Sequence, residues 1–261
     1  MTERSKTDMD PWYIYDTLIE GVPEGIPVTD YCIGSNWCYV DAGCGCGISH
    51  AVRGGGRRAF HEDPCSIDLH ALAKLAKSWN FEEATLGTAA LNSWYSRREA
   101  IEKKGAFIDV EHVGRAEESN PFTLLKESYA EKKVTVVGHF PNVNSMFATA
   151  DVTVLERNCA SPLDTPDSAC EYILPQQDYV LMTGTTFINK TMPRLLELSQ
   201  KATTVVVGPS AIPSVVLAEA GAQAIAGSVV VNKEPAKASI KGGTKEQWRA
   251  GIKKFFWAPQ D

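Results

Sequence analysis

The stretch "DYVLMTGTTFINKTMPRLLEL", residues 178–198, holds one repeat of the fold. An apolar run of strand length ends in Thr183-Gly184-Thr185, and a helical candidate, "TMPRLLELSQKA", follows. The same unit recurs along the second half of the chain. "KVTVVGHF", "DVTVLE", "TTVVVGPS" and "AIAGSVVV" are further apolar runs rich in Val or Ile, most of them closed by glycine or a polar residue. "PFTLLKESYAEK" precedes the first of these, and "PSVVLAEAG" follows the "TTVVVGPS" run, both with helical character. Near-continuous apolar strands alternating with helices predict a parallel sheet covered on both faces, a Rossmann-like doubly wound domain over residues 116–261.

Residues 1–115 have another rhythm. "VTDYCIG", "WCYVDAG" and "CGISHAV" are three short segments that can pair as a meander, separated by Ser35-Asn36 and by a glycine-rich joint. Two helices are predicted to follow, "DLHALAKLAKSW" with Asp68 as its cap, and "FEEATLGTAALNSWYSR", whose Gly87, Ala89 and Ala90 admit a close neighbour. Strands followed by helices read as a small α+β domain, so the whole chain is of the α/β class in two domains.

The 261 residues suffice for two such cores without disulfides. With 44% apolar and 22% charged residues the composition is that of an ordinary globular protein, and a net charge of −6 without a long basic run argues against nucleic acid as a partner. The polar start "MTERSKTDMD" lacks the apolar core of an export signal, and the long uncharged stretch 203–231 is broken by Gly208, Pro209, Pro213, Glu219 and Gly221, so no membrane span is expected. A cytoplasmic protein with its seven cysteines reduced is the expectation.

Ligands of doubly wound sheets bind at the carboxyl ends of the strands, where loops gather. The loops there contain Gly138-His139-Phe140-Pro141, Glu156, Thr183-Gly184-Thr185 and Gly208-Pro209-Ser210. Asn189 and Lys190 stand before the helix that Thr191 is placed to cap, which makes Lys190 a candidate anion contact; the alternative is a closed helix end with a solvated lysine. Glu156 sits near the offset at which dinucleotide folds hold a ribose, but "GHFPNVN" lacks the glycine fingerprint, so NAD is disfavoured while an adenosyl ligand stays open. Asp164 and Asp167, in "LDTPDSA", lie close by and suit a capped turn as well as a site.

Cys44 and Cys46, in "DAGCGCGISHAV", would share one face of an extended strand and could address one ion. The series 32, 38, 44, 46 lacks zinc spacing, however, and buried thiols pack well as small hydrophobes, so packing is favoured over a metal site. His70 and His112 read as structural or solvated, while His50 and His61 are undecided.

The second half also resembles a known family. "VVGHFP", "VLE", "DTPDSACEYILPQQDYVLMTGTTFINKT", "VVVGPS" and "AGSVV" are similar, over residues 121–232, to the family described as "putative heavy-metal chelation", and "ATLGTAALNSWYS" resembles the Ala-Ala-x-Asn region of its companion N-terminal domain. The resemblance implies an enolase N-terminal-like domain joined to a Rossmann-like one, with a site where they meet. Carried onto this chain, that site comprises Gly138, His139, Phe140, Pro141, Glu156, Asp164, Thr183, Gly184, Thr185, Asn189, Lys190, Gly208, Pro209 and Ser210, with Asn92 from the other domain. Glu156 or His139 would be the acid or base, Lys190 would hold an anion and Asn92 would orient it.

Gly208-Pro209-Ser210 is followed here by Ala211, where the family often has threonine. Three functions follow from the resemblance and the loops together. The first is condensation or hydrolysis of a metal chelator or a flavin-, pterin- or siderophore-like small molecule. The second is binding of a heavy-metal ion or metal chelate without chemistry, and the third is methyltransferase-like binding of an adenosyl cofactor. A homodimer is also an expectation.

Overall fold

The computed structural model describes residues 10–102, 121–140, 143 and 148–258. The predicted boundary between residues 115 and 116 lies outside them, as do Pro141 and His112. Strands β1 (Val28–Ile33), β2 (Trp37–Ala42) and β3 (Gly45–His50) form the expected antiparallel meander, with Tyr39 opposite both Cys32 and Ile48. Helices α1 (Tyr13–Glu20), α2 (Leu69–Ala73), α3 (Phe81–Tyr95) and α4 (Arg98–Glu102) accompany it. Asp68 caps α2 by accepting from Ala71 N, and Asn80 caps α3 by accepting from Glu83 N.

The run Cys44-Gly45-Cys46-Gly47 owes its glycines to α3. A Cβ on Gly47 would land on the backbone of Ala89 and Ser93, and one on Gly45 would meet the Ser93 carbonyl. The helix lies directly on the strand, and Ser93 fastens it there: its Oγ accepts from Gly47 N at 3.0 Å and donates to Val40 O at 2.7 Å.

The larger sheet contains β4 (Lys133–Val137), β5 (Asp151–Glu156), β6 (Asp164–Pro166), β7 (Tyr179–Thr183), β8 (Thr203–Val207), β9 (Ala224–Val230) and β10 (Ile252–Trp257). Their order is β10, β9, β8, β7, β4, β5, β6, all parallel except β10, which is antiparallel to β9. The chain runs outward from β4 to β6 and then returns to β7 on the other side of β4. The gap between the carboxyl ends of β4 and β7 is therefore the topological switch point.

Helices α5 (Pro121–Leu124), α6 (Cys170–Ile173), α7 (Thr185–Ile188), α8 (Met192–Leu198), α9 (Val215–Glu219), α10 (Lys233–Ile240) and α11 (Lys245–Gly251) complete the fold. Alternate residues fill the two sides of the sheet: Val134, Val136, Val154, Leu181 and Val205 pack with Phe122 and Tyr129, while Val137, Leu155, Val180, Met182 and Val206 face Leu195, Leu196 and Leu217. Among the described residues no helix is long and apolar enough to cross a membrane.

The structure corrects three details. The helix expected over 121–132 is helical only in α5, after which turns bring Tyr129 back into the core, its hydroxyl 3.3 Å from Pro121 O. β6 and β10 join the sheet at its two edges. The segment after β9 forms α10, which packs on the first sheet: Ala236 and Ile240 meet Tyr39, Cys46 and Ile48, while Lys233 pairs with Asp41 at 2.6 Å and Lys237 with Asp30 at 2.8 Å.

Gly47→Ala is expected to destabilise the protein by about 1–3 kcal/mol, because the added methyl forces helix from strand. A thermal melt should show a fall of several degrees in Tm, and an unchanged Tm would contradict the packing of α3 on β3.

Candidate functional site

A cleft of about 1120 Å³ opens at the carboxyl ends of β4, β5, β7, β8 and β9. Its floor comes from the loops singled out in the sequence: His139 and Phe140 after β4, Glu156 at the end of β5, Thr183, Gly184 and Thr185 after β7, Asn189 and Lys190 after α7, and Gly208, Pro209 and Ser210 after β8. Two glycines make the floor possible. Gly138 has φ +98 and a Cβ there would come within 2.9 Å of Thr183 Cγ2, so β4 and β7 close on each other at the switch point. Gly184 lies against the Ser210–Ala211 backbone in the same way. Ala211 itself is buried and does not line the cleft, so the departure from threonine there leaves the wall unaltered.

The opposite wall was not foreseen. Trp37, His50, Val52, Arg53 and Phe81 reach the cleft from the first sheet and α3, and Trp248, Lys254 and Phe255 from α11 and β10. The Trp37 ring lies edge-on to His50 at 5.1 Å and tilted to Trp248 at 4.9 Å. Burial lowers the His50 pKa, which favours a neutral imidazole at pH 7. The one local hint was that Trp37 and His50 are paired across β2 and β3 at the end of the meander.

His139 and Asp164 form a close polar pair. His139 Nε2 lies 2.6 Å from Asp164 Oδ1, and Asp164 Oδ2 accepts from Ala160 N and Ser161 N, each at 2.8 Å. Although its burial acts the other way, these two N–H donors and the imidazole hold the Asp164 carboxyl below the usual carboxylate range. Asp164, expected as a ligand contact, does not line the cleft; it fixes the ring that does. Glu156 Oε1 accepts from Arg157 N at 2.8 Å and from Asn158 N at 3.2 Å, while Oε2 is uncommitted among the described residues.

Asn92 is likewise displaced from the role expected of it. Its amide donates to Ile48 O at 2.9 Å and to Pro209 O at 3.0 Å, and its Oδ1 accepts from Ser96 Oγ at 2.8 Å. These bonds leave nothing to offer a ligand, and the side chain is buried away from the cleft. Together with the bond from His50 N to Ser210 Oγ at 2.8 Å, Asn92 ties β3 to the loop after β8.

Cys44 falls in the turn before β3, not on the strand. Its Sγ lies 3.6 Å from Ser93 O, whereas Cys46 packs with Tyr39, Ile48 and Ala236. The shared face expected of the two thiols is thus lost. Burial also pushes the Cys46 pKa up to about 12, away from the thiolate form that a metal requires. Among the described residues no cluster of three or more His, Cys, Asp or Glu side chains is placed to hold a metal. His70 is structural, with Nδ1 2.8 Å from Val22 O, and His61 is exposed.

Charge in the cleft is unevenly compensated. Arg53, Arg157 and Arg194 are paired with Glu82, Asp167 and Glu171. Lys190 and Lys254 have no ion pair among the described residues, and burial lowers the pKa of both, that of Lys190 to about 8. Thr191, expected to cap α8, makes no capping bond; Asn189 Oδ1 instead accepts from Thr191 N and Oγ1 at 3.1 and 2.7 Å.

The fold and cleft together define a doubly wound α/β protein that carries a smaller antiparallel sheet across the carboxyl ends of its parallel strands. The chain belongs to the DUF364 family, described as "Putative heavy-metal chelation", which matches residues 120–255; the DUF4213 family, with the same description, matches residues 15–95. A DUF364 protein of unknown function from Desulfitobacterium hafniense is 32% identical, with a TM-score of 0.80 over 95% of this chain and 98% of its own. Another from Pyrococcus horikoshii, 21% identical, shares the fold with a TM-score of 0.77 over 96% of this chain and 100% of its own. An uncharacterized protein of Methanocaldococcus jannaschii is 29% identical over 153 residues, 55% of this chain; the match spans about half, 53%, of that relative's length.

The lowered Lys190 pKa has a signed consequence. Between about pH 8 and the ordinary lysine range near 10.5 the unfolded chain holds a proton that the folded one has released, so this residue's contribution to stability improves as pH rises through that window. Urea unfolding of wild type and Lys190→Met should therefore diverge in the wild type's favour from pH 8 to 10.5. Parallel curves would show that the amine is not desolvated.

Proposed function

We propose that the protein is an enzyme acting on a small, planar, anionic compound able to chelate metal, by condensation or hydrolysis, with His139 as general acid or base. The observation that carries this reading is the His139–Asp164 pair at 2.6 Å on the floor of an aromatic-walled cleft with two lysines that have no ion pair among the described residues. A carboxylate on one ring nitrogen orients the imidazole, leaving the other nitrogen for a substrate proton. Trp37, Phe81 and Trp248 provide faces for a flat ring, and Lys190 and Lys254 favour negative charge. Glu156 is the second candidate acid or base. The description of the family supports a chelating ligand.

Tryptophan fluorescence tests the ligand class, since Trp37 and Trp248 line the cleft. Saturable quenching is expected with 2,3-dihydroxybenzoate, alone or as its iron(III) complex, weakened about tenfold, ~1.4 kcal/mol, in Lys254→Met. No saturable quenching by either form at millimolar concentration would end the reading. A second reading keeps support from Glu156, the last residue of β5 beside the switch point, where a ribose would lie. Quenching by S-adenosylmethionine alone would favour it.

A further inference from the structure

Lys190 has features that charge alone does not account for. It is one of two non-glycine residues with positive φ among the described residues, at +70, and the other, Glu131, is remote from the cleft. The conformation closes α7, with Lys190 N donating to Phe187 O at 3.3 Å, at a helix-end position that glycine or asparagine usually fills, so a lysine there carries strain that its surroundings impose. Here the imposed geometry folds the side chain back on its own turn: Nζ donates to Ile188 O at 2.6 Å and lies 5.9 and 6.0 Å from the Tyr15 and Trp79 rings. Tyr15 is itself pinned, stacked on Phe187 at 4.2 Å with its hydroxyl donating to Phe187 O at 2.7 Å. Lys190 lines the cleft, and its amine has a backbone carbonyl and two aromatic rings about it and, among the described residues, no carboxylate.

A simple anion contact has no need of this environment. Removal from water without a counter-charge favours the neutral, nucleophilic form of an amine. From this geometry we infer that Lys190 is the nucleophile of the site and forms an imine with an aldehyde or ketone carbon of the bound ligand. The inference rests on the cleft reading above and narrows its substrate class to carbonyl compounds.

The neutral Lys190 Nζ attacks the carbonyl carbon, and the carbonyl π pair moves to oxygen, which takes up a proton. The resulting carbinolamine nitrogen loses a proton. Protonation of the hydroxyl lets water leave as the nitrogen lone pair forms the C=N bond, giving a protonated imine. His139, fixed by Asp164, is the cleft group suited to carry the protons for these steps. Hydrolysis of the imine reverses the sequence and restores the amine.

The test uses the full-length protein with salicylaldehyde, a planar aromatic aldehyde, and sodium cyanoborohydride. Hydride from the reagent reduces the imine to a stable secondary amine, read by intact mass and peptide mapping. The expected result is one adduct, on Lys190, whose rate of formation has its inflection near pH 8, not near the ordinary lysine range of about 10.4. Lys190→Arg, which keeps the charge, should lose that adduct. Labelling spread over surface lysines, or a single adduct elsewhere in the wild type, overturns the inference independently of how the variant folds. Quenching without a Lys190 adduct rejects the imine and leaves the cleft reading standing; absence of both rejects the cleft reading itself.

Discussion

The amide of Asn92 is the contact on which the cleft depends. One side chain on α3 donates to a carbonyl of β3 and to a carbonyl of the loop after β8, residues far apart in sequence. Without it the Ile48 carbonyl would be left unpaired where water is excluded, and an unpaired buried carbonyl costs about 1–3 kcal/mol. The bond to Pro209 also fixes the register in which the smaller sheet meets the larger. With that register set, Ser210 meets His50, Trp37 comes near Trp248, and the strand ends of the Rossmann-like sheet acquire a second wall. The site is therefore a property of how two sheets are joined, as well as of the loops on one of them.

Much of the larger sheet was legible because its strands are near-continuous Val and Ile runs closed by glycine, the signature of parallel strands buried on both sides. The loops after those strands followed directly, and nearly all the residues chosen from them do line one cleft. What escaped lacked that signature. β6, Asp164–Pro166, is three polar or small residues long, and β10, "IKKFFW", carries two lysines on a strand that covers the edge of the sheet. The helix α10 contains Pro235 and presents only Ala236 and Ile240 as buried residues, too few for a clear periodic stripe.

Within the site, the failures were those of tertiary placement. Trp37, Phe81 and Trp248 are ordinary aromatic residues in sequence, and only the joining of the sheets brings them to the strand ends. Asn92 and Asp164 were recognised as important residues with the wrong task. Each was expected to touch a ligand, yet one spends its amide on two backbone carbonyls and the other spends its carboxylate on two backbone N–H groups and an imidazole. Chemical type was readable from sequence, but the atom on the far end of each hydrogen bond was not. The Cys-Gly-Cys-Gly run, read as packing in preference to a metal site, owes its structural role to the glycines that admit α3.

Helix α10 has a bearing on how the chain reaches this structure. It comes after the whole parallel run of the larger sheet, yet it packs on Tyr39, Cys46 and Ile48 of the first sheet and pairs its lysines with Asp30 and Asp41. During synthesis the meander therefore emerges with an apolar face and two aspartates whose partners are made about 200 residues later. The first part of the chain can be only provisionally ordered while the ribosome completes the rest, and it remains exposed to wrong contacts in that interval. Final closure waits on the synthesis of α10, which couples the assembly of both sheets to the arrival of a single late helix.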